Sequence, residues 1–513
     1  MSPWALLLLL AQPTEAELFA ASDAGFADAG VPQPPLPLRE GGGEGRPSEA
    51  ELFGGPDASP PPPEGAVQVQ PHGTESEQAQ RDAERLGLPA AQSAFDTGEA
   101  AANPLTVGGT LYLRTIASGN DADTFKTISL AAPNLFDGYL DARPSDRVRG
   151  FLLARMRYDP LLDPQATSQL PTFTGATRPT TENPGIFLDQ LWLRFDIARV
   201  VFVTAGKQHA KWGVSRFWNP TDFLTPERKD PLAVFDDRLG ANMVKLHVPW
   251  EARGWNFYAI GLFDNRQPAD ELAKLGGALR AEIVFGNTEL GADAVFVGQT
   301  RPRYGFDLSS ALGPFDVYGE LALRRGGDFQ LVRTRGELDL SQPLFDQLEL
   351  FSPQGVQVAT SGGLTYQWQY TEQNVINFGA EYFYNGVGTS EPELYPLLLA
   401  TGRFTPFYVG KHYAALYALA SGLPGGLEEV TVVASNIGNL SDLSFITRAD
   451  VFIRVLSYLT VELFGSVHYG KRGGEFRLGF DTPVLTLVPG QTVPPISVPA
   501  PVADFGVGLR VGF

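Results

Sequence analysis

Aromatic and cationic side chains crowd into one stretch of this 513-residue chain, Gly206 to Leu239. Trp212, Phe217, Trp218, Phe223 and Phe235 interleave there with Lys207, Lys211, Arg216, Arg228 and Lys229, and Asp222 adds a carboxylate. Flat rings beside hydrogen-bond donors can hold a polar solute, and a merely solvated loop has no use for them. Catalysis has a thinner basis. Ser466 and His468 share one face of an alternating stretch, but no nucleophile elbow or HExxH pattern is present, and the five histidines (His72, His209, His247, His412, His468) are scattered. We read the chain as not an enzyme, with no catalytic residue, no cofactor and no metal site. It has no cysteine, which excludes disulfides and thiolate metal sites. A formal charge of -19 argues against nucleic acid as a partner.

The elements that must position these residues are strands. The last nine residues, Phe505 to Phe513, alternate strictly: Phe505, Val507, Leu509, Val511 and Phe513 on one face, Gly506, Gly508, Arg510 and Gly512 on the other. Such a strand suits lipid on one side and water on the other. Eighteen alternating stretches of this kind run from 107–116 to 502–513, an even number, as closed bacterial barrels have. No window is long and apolar enough for a membrane helix. The abundant glycine (56 residues) and aromatics (11%), with a mean hydropathy of only -0.08, fit strands that give half their residues to a polar lumen. Connections alternate between tight turns, such as Gly286-Asn287, and long Pro/Gly-rich segments, such as Asp159 to Pro184 and Lys471 to Pro501. The expected fold is therefore all-β, an antiparallel transmembrane barrel of about 18 strands over residues 105–513, with short turns and both termini at the periplasmic end. Trp250, Trp255, Trp368, Tyr370 and Tyr458 lie beside those turns, where they form an interfacial girdle.

Ahead of the barrel, MSPWALLLLLAQPTEA reads as a signal peptide over residues 1–16, short in its apolar core and without a preceding Lys or Arg. Residues 17–104 are Pro-rich and acidic, with fifteen acids against four arginines and few aromatics. They read as a disordered periplasmic linker with one short helix at 75–88. A role in binding a partner or plugging the barrel stays open beside the plain spacer.

Strand parity selects a lumen wall. Its bases are Arg149, Arg155, Arg157, Arg194, Lys245, Arg280, Arg324, Arg448, Arg454 and Arg510. Its acids are Asp189, Asp196, Glu282, Asp316, Glu320, Glu381, Asp450, Glu462 and Asp504. Ten bases against nine acids leave no one-sign lining. Two readings follow: a polar pore wall that orients anionic or hydroxylated solutes, or acid–base pairs that brace neighbouring strands.

Two segments resemble known families. The C-terminal strand resembles the assembly signal of Gram-negative outer-membrane β-barrels, with Gly508, Val511 and the terminal Phe513 at the signal positions; Gly506 departs from it, standing where that family usually has a polar side chain. Gly206-Lys207-Gln208, Trp212-Gly213 and Asn219-Pro220-Thr221-Asp222 resemble a segment of uncharacterised outer-membrane barrel families related to porins and polysaccharide exporters. The resemblance implies a porin-like outer-membrane channel for polar or anionic solutes, saccharides among them, assembled by the barrel assembly machinery in outer-membrane lipid. It also implies an inward-folded constriction loop. In that loop Trp212 and Trp218 are stacking surfaces for sugar rings, Arg216, Arg228 and Lys229 are donors, and Lys211 and Asp222 complete the set. The alternatives are a brace tied by Asp236 or Asp237 to Arg238, and, for the whole protein, an export barrel with periplasmic components or a non-conducting anchor.

Overall fold

The structure is a computed structural model that describes residues 104–513 apart from single residues and short segments, the longest being 163–172 and 264–274. The expected signal peptide, linker and 75–88 helix lie outside the described residues. The alternating stretches form eighteen antiparallel strands. In chain order they are β1 Leu105–Asn120, β2 Asn134–Ser145, β3 Val148–Tyr158, β4 Gly185–Ile197, β5 Val201–Gln208, β6 Ala241–Trp250, β7 Trp255–Leu262, β8 Gly276–Phe285 and β9 Thr288–Val297. They continue as β10 Arg303–Leu312, β11 Phe315–Arg325, β12 Val356–Gln369, β13 Val375–Asn385, β14 His412–Leu423, β15 Leu427–Asn439, β16 Ser444–Leu456, β17 Leu459–Gly470 and β18 Pro501–Gly512. Each pairs with its neighbours, and β18 pairs back onto β1 from Thr110↔Gly512 to Asn120↔Pro501, which closes the barrel and leaves no sheet edge. A three-residue strand, Ser129–Ala131, adds to the far end of β1.

Alternating exposure follows the sequence parity. On β18, Phe505, Val507 and Leu509 are exposed while Asp504, Gly506, Gly508 and Arg510 are buried. The exposed row continues around the outside through Leu140, Leu193, Leu246, Phe257, Leu279, Phe306, Leu321 and Leu463, a band of side chains that water would penalise and lipid accepts. A slip of one residue in any strand would send charges such as Arg280 or Glu462 into that band, at about 2–4 kcal/mol for an arginine near mid-membrane, so parity fixes register. Trp250, Trp368 and Tyr458 stand exposed beside the short turns.

The turns explain themselves locally. Gly286 adopts φ +59 in the two-residue link between β8 and β9, the left-handed conformation that such hairpins demand. At the opposite, loop end, the described parts of the long connections carry small hairpins, such as Leu331–Thr334 with Leu348–Phe351, and the six-residue helix Tyr395–Ala400. Strand β14 begins at His412, inside the alternating stretch that starts at Val409, because Tyr408 and Val409 are held in the loop layer: the Tyr408 carbonyl accepts from Asn385 and the Val409 carbonyl from Thr389. The largest buried apolar cluster sits in the lumen, where Phe173, Phe217, Trp218 and Leu232 from inward loops meet Phe383, Tyr413, Tyr417, Ile437 and Ile446 of β13 to β16.

Candidate functional site: a loop latched across the lumen

The connection between β5 and β6, residues 209–240, crosses to the opposite wall. Asp189 on β4 ties both its ends, with His209 at 2.9 Å and the Gly240 N–H at 3.0 Å. Its middle docks five to eight strands away on two buried carboxylates. Glu320 of β11 accepts from the Ser215 amide (2.6 Å), the Thr221 hydroxyl (2.7 Å) and amide (3.2 Å), and the Asn219 side chain (3.2 Å). Glu381 of β13 accepts from the successive amides of Arg216 (2.8 Å), Phe217 (3.1 Å) and Trp218 (2.9 Å), and from the Tyr318 hydroxyl (3.0 Å). Buried carboxylates need such donors, and inward-turned backbone amides need acceptors, so each satisfies the other.

This docking accounts for the two motif fragments in the loop. Gly213 sits at φ +92, and a Cβ there would lie 2.5 Å from Glu320 Oε1. Asn219 and Thr221 reach Glu320 directly, while Asp222 pairs with Arg238 at 2.9 Å. Arg238 also grips Asp236 at 2.7 Å. The crowded lumen around Asp236 works against ionising it, yet the Arg238 guanidinium outweighs this and holds that carboxyl well below the usual range. The brace expected between Asp236 and Arg238 is therefore present; Asp237 lies outside the described residues.

The expected stacking role of the two tryptophans does not fit their surroundings. Trp218 has no exposed surface; it stacks on Phe383 (5.5 Å between centroids) and donates Nε1–H to the Phe407 carbonyl at 3.0 Å. Trp212 is 3% exposed, packed with Met243, Ile260, Ala278 and Val295 beneath the Arg280 guanidinium at 5.7 Å. They are anchors of the loop. Parity cannot apply outside a strand, so the sequence could not show which way these rings point. Arg216 lies over the Tyr417 ring at 3.7 Å, Lys229 donates to the Arg216 carbonyl at 2.8 Å, and Arg228 lies 5.5 Å from the Tyr408 ring. Lys211 is half-buried.

Most of the parity-selected wall is buried and paired. Arg280 bonds Glu282 (2.8 Å) and Asp307 (2.7 Å) and approaches Asp293 (3.3 Å). Arg155 bonds Asp137 at 2.8 Å and approaches Asp189 at 3.5 Å. Arg448 bonds Asp450, and Glu462 receives Tyr112 and Arg114. Arg114 and Arg448 also hold the Thr174 carbonyl, which brings the β3–β4 connection into the lumen as a second inward segment. Arg149 pairs with Asp141 at 2.8 Å, Arg157 lies 5.3 Å from the Phe187 ring, and Arg194 lies 5.7 Å from the Phe202 ring. Lys245 and Arg324 are half-buried, Arg510 is buried, and Asp316 is exposed near the turns. Arg454 meets Glu429 in an exposed pair at the turn end. Arg114, Asp137, Asp141, Asp293 and Asp307 were missed, although the same alternation marks them.

Ser466 and His468 do not bond each other. Both reach Asp504, at 2.9 and 2.7 Å, and the other His468 nitrogen meets the Phe476 carbonyl at 2.8 Å, so the trio fastens the β17–β18 loop and forms no nucleophile–base pair. The same loop places Glu475 where Phe407 N–H, Tyr413 hydroxyl (2.7 Å) and Asn439 (2.9 Å) converge. Burial, with Asp442 adding to it, pushes the Glu475 carboxyl up to about 8, against 4.5 ordinarily. The folded loop thus holds a proton that the unfolded segment gives up. Its extra stability is complete at low pH, falls as pH rises past about 4.5, and is gone near 8. Hydrogen exchange at Phe407 and Phe476 is expected to quicken from pH 5 to pH 9 beyond the intrinsic rate, and Glu475→Gln to flatten the excess.

The loop's position can be fixed chemically. The Ser215 and Ser361 hydroxyls are 2.7 Å apart, and the protein has no other thiol, so Ser215→Cys/Ser361→Cys is expected to oxidise to one intramolecular disulfide, read as a mobility shift without reductant. A pair that stays reduced would place the loop elsewhere.

A closed barrel with an apolar outer band and a charged, paired inner wall is a transmembrane β-barrel, the architecture of bacterial outer-membrane barrels. No protein-family model and no curated relative matches the chain. Among solved structures it is similar to a triple mutant of the Rhodopseudomonas blastica porin, at 10% identity and a TM-score of 0.36, over 80% of this chain and 100% of that one. It is also similar to OccK11 (OpdR) of Pseudomonas aeruginosa, at 11% identity and a TM-score of 0.41, over 79% and 96%. These are distant likenesses, and the functional reading rests on this chain's own residues.

Proposed function

We propose that the protein is a porin-like channel of the outer membrane, passing polar solutes, anionic ones and saccharides included, through a lumen narrowed by residues 209–240. The observation that carries the reading is the latch: a loop held across a polar lumen by Glu320 and Glu381, in a barrel of eighteen strands, which is wide enough for an aqueous passage. The balanced, internally paired wall favours hydration over strong charge selection. The short turns and both termini face the periplasm, and the C-terminal strand ending in Phe513 is the segment that the barrel assembly machinery engages. The cluster packing the loop end supports a second reading, a non-conducting anchor. Planar-bilayer recording of the folded barrel separates them: a channel gives discrete steps, an anchor none.

A further inference from the structure

Three lumen-facing rings form a row that the latch does not use. Tyr139 on β2, Phe151 on β3 and Trp192 on β4 are offset-stacked, with centroids 6.0 Å apart at 21° and 5.4 Å apart at 26°. Their place on the inner face follows from parity: Tyr139 alternates with exposed Leu140 and keeps step with buried Asp141, and Trp192 lies between exposed Leu191 and Leu193. All three are half-buried, and none belongs to the apolar clusters that pin the loop. Tyr139 lies across Gly108 of β1, where a Cβ would stand 2.4 Å from the hydroxyl, so that glycine lets the ring lie there.

The rim carries both donors and acceptors. Arg149 lies 5.6 Å from the Trp192 ring and is held bidentately by Asp141 at 2.8 and 2.9 Å; Arg143 reaches the same carboxylate at 3.0 Å, and Gln190 accepts from the indole at 3.1 Å. A free carboxylate or phosphate would have to compete with Asp141 for the two guanidiniums, of Arg149 and Arg143, that it already holds. A neutral hydroxylated ring suits the site better: its C–H face lies on an aromatic ring while its hydroxyls meet mixed polar groups. Neighbouring strands stand about 4.8 Å apart, close to the rise of one sugar unit along a linear glycan.

We infer that Tyr139, Phe151 and Trp192 form a binding track for a linear saccharide, the place where sugar contacts the wall in place of Trp212 and Trp218. The inference deepens the channel reading and is tested separately from it. Maltohexaose is the probe, in calorimetry on the folded, heat-modifiable barrel and in bilayer current recordings. Saturable binding and sugar-dependent current block are expected, weakened at least tenfold by Trp192→Ala or Phe151→Ala and little changed by Tyr139→Phe, which keeps the ring. Binding that survives Trp192→Ala and Phe151→Ala overturns the track. So does a barrel that conducts but binds no glucan, and so does one that binds benzoate at these rings and no sugar. Calorimetric binding in a protein that conducts nothing would uphold the track and remove the channel reading alone.

Discussion

Glu320→Ala/Glu381→Ala is expected to release the loop from the far wall and raise single-channel conductance several-fold while the barrel stays folded. The two carboxylates accept five backbone amides, two hydroxyls and one side-chain amide between them. Stranding a buried donor costs about 1–3 kcal/mol, so losing both acceptors together exceeds what packing of the loop rings alone can offset. The strands themselves lose no ladder hydrogen bond. Protease cleavage between Lys211 and Lys229 should appear in the variant and be absent from the parent. Unaltered conductance with an intact loop would show that packing of Trp218 against Phe383 and Tyr413 holds it without the latch.

Deleting Phe513 is expected to lower the amount of heat-modifiable protein in outer membranes several-fold without changing the conductance of what does assemble. Phe513 is two-thirds exposed on the lipid face, stacks on Phe136 at 6.1 Å, and contributes only a pair of backbone hydrogen bonds with Gly109. Its loss therefore leaves the pore wall intact while removing the aromatic end of the closing strand. Gly506→Leu separates recognition of that strand from its fit. A Cβ at Gly506 would lie 2.0 Å from the Phe464 ring, which carries Arg448 at 4.0 Å and Arg114 at 4.5 Å on its face. That variant should impair closure even with Phe513 present. The crowding also explains why glycine stands where related signals have a polar residue: Phe464 and its two arginines occupy the space.

The strands were legible because each face of a barrel strand meets a different solvent, and alternation survives in sequence. Every expected stretch became a strand, with ends shifted by a few residues where ladders run on into loops, as in β1, or where loop clamps intrude, as at Val409. Glu320 and Glu381 were legible as inward-facing for the same reason. Their partners were not, because backbone amides of Ser215 to Trp218 carry no residue-type signature. Glu475 stayed hidden likewise: it lies in an irregular loop, and its environment is assembled from β13–β14, β14, β15 and β17–β18 segments distant in sequence. The burial of Trp212 and Trp218 was not legible either, because a loop has no parity to consult.

The central claim is that residues 209–240 set the narrowest part of a conducting lumen. Single-channel recording of the intact protein and of a form shortened between Lys211 and Lys229 tests it directly. Discrete conductance that rises on shortening, with weaker discrimination between small anions and cations, is the expected result. Conductance that shortening leaves unchanged would make the loop a brace only, and absence of conductance in both forms would contradict the channel itself.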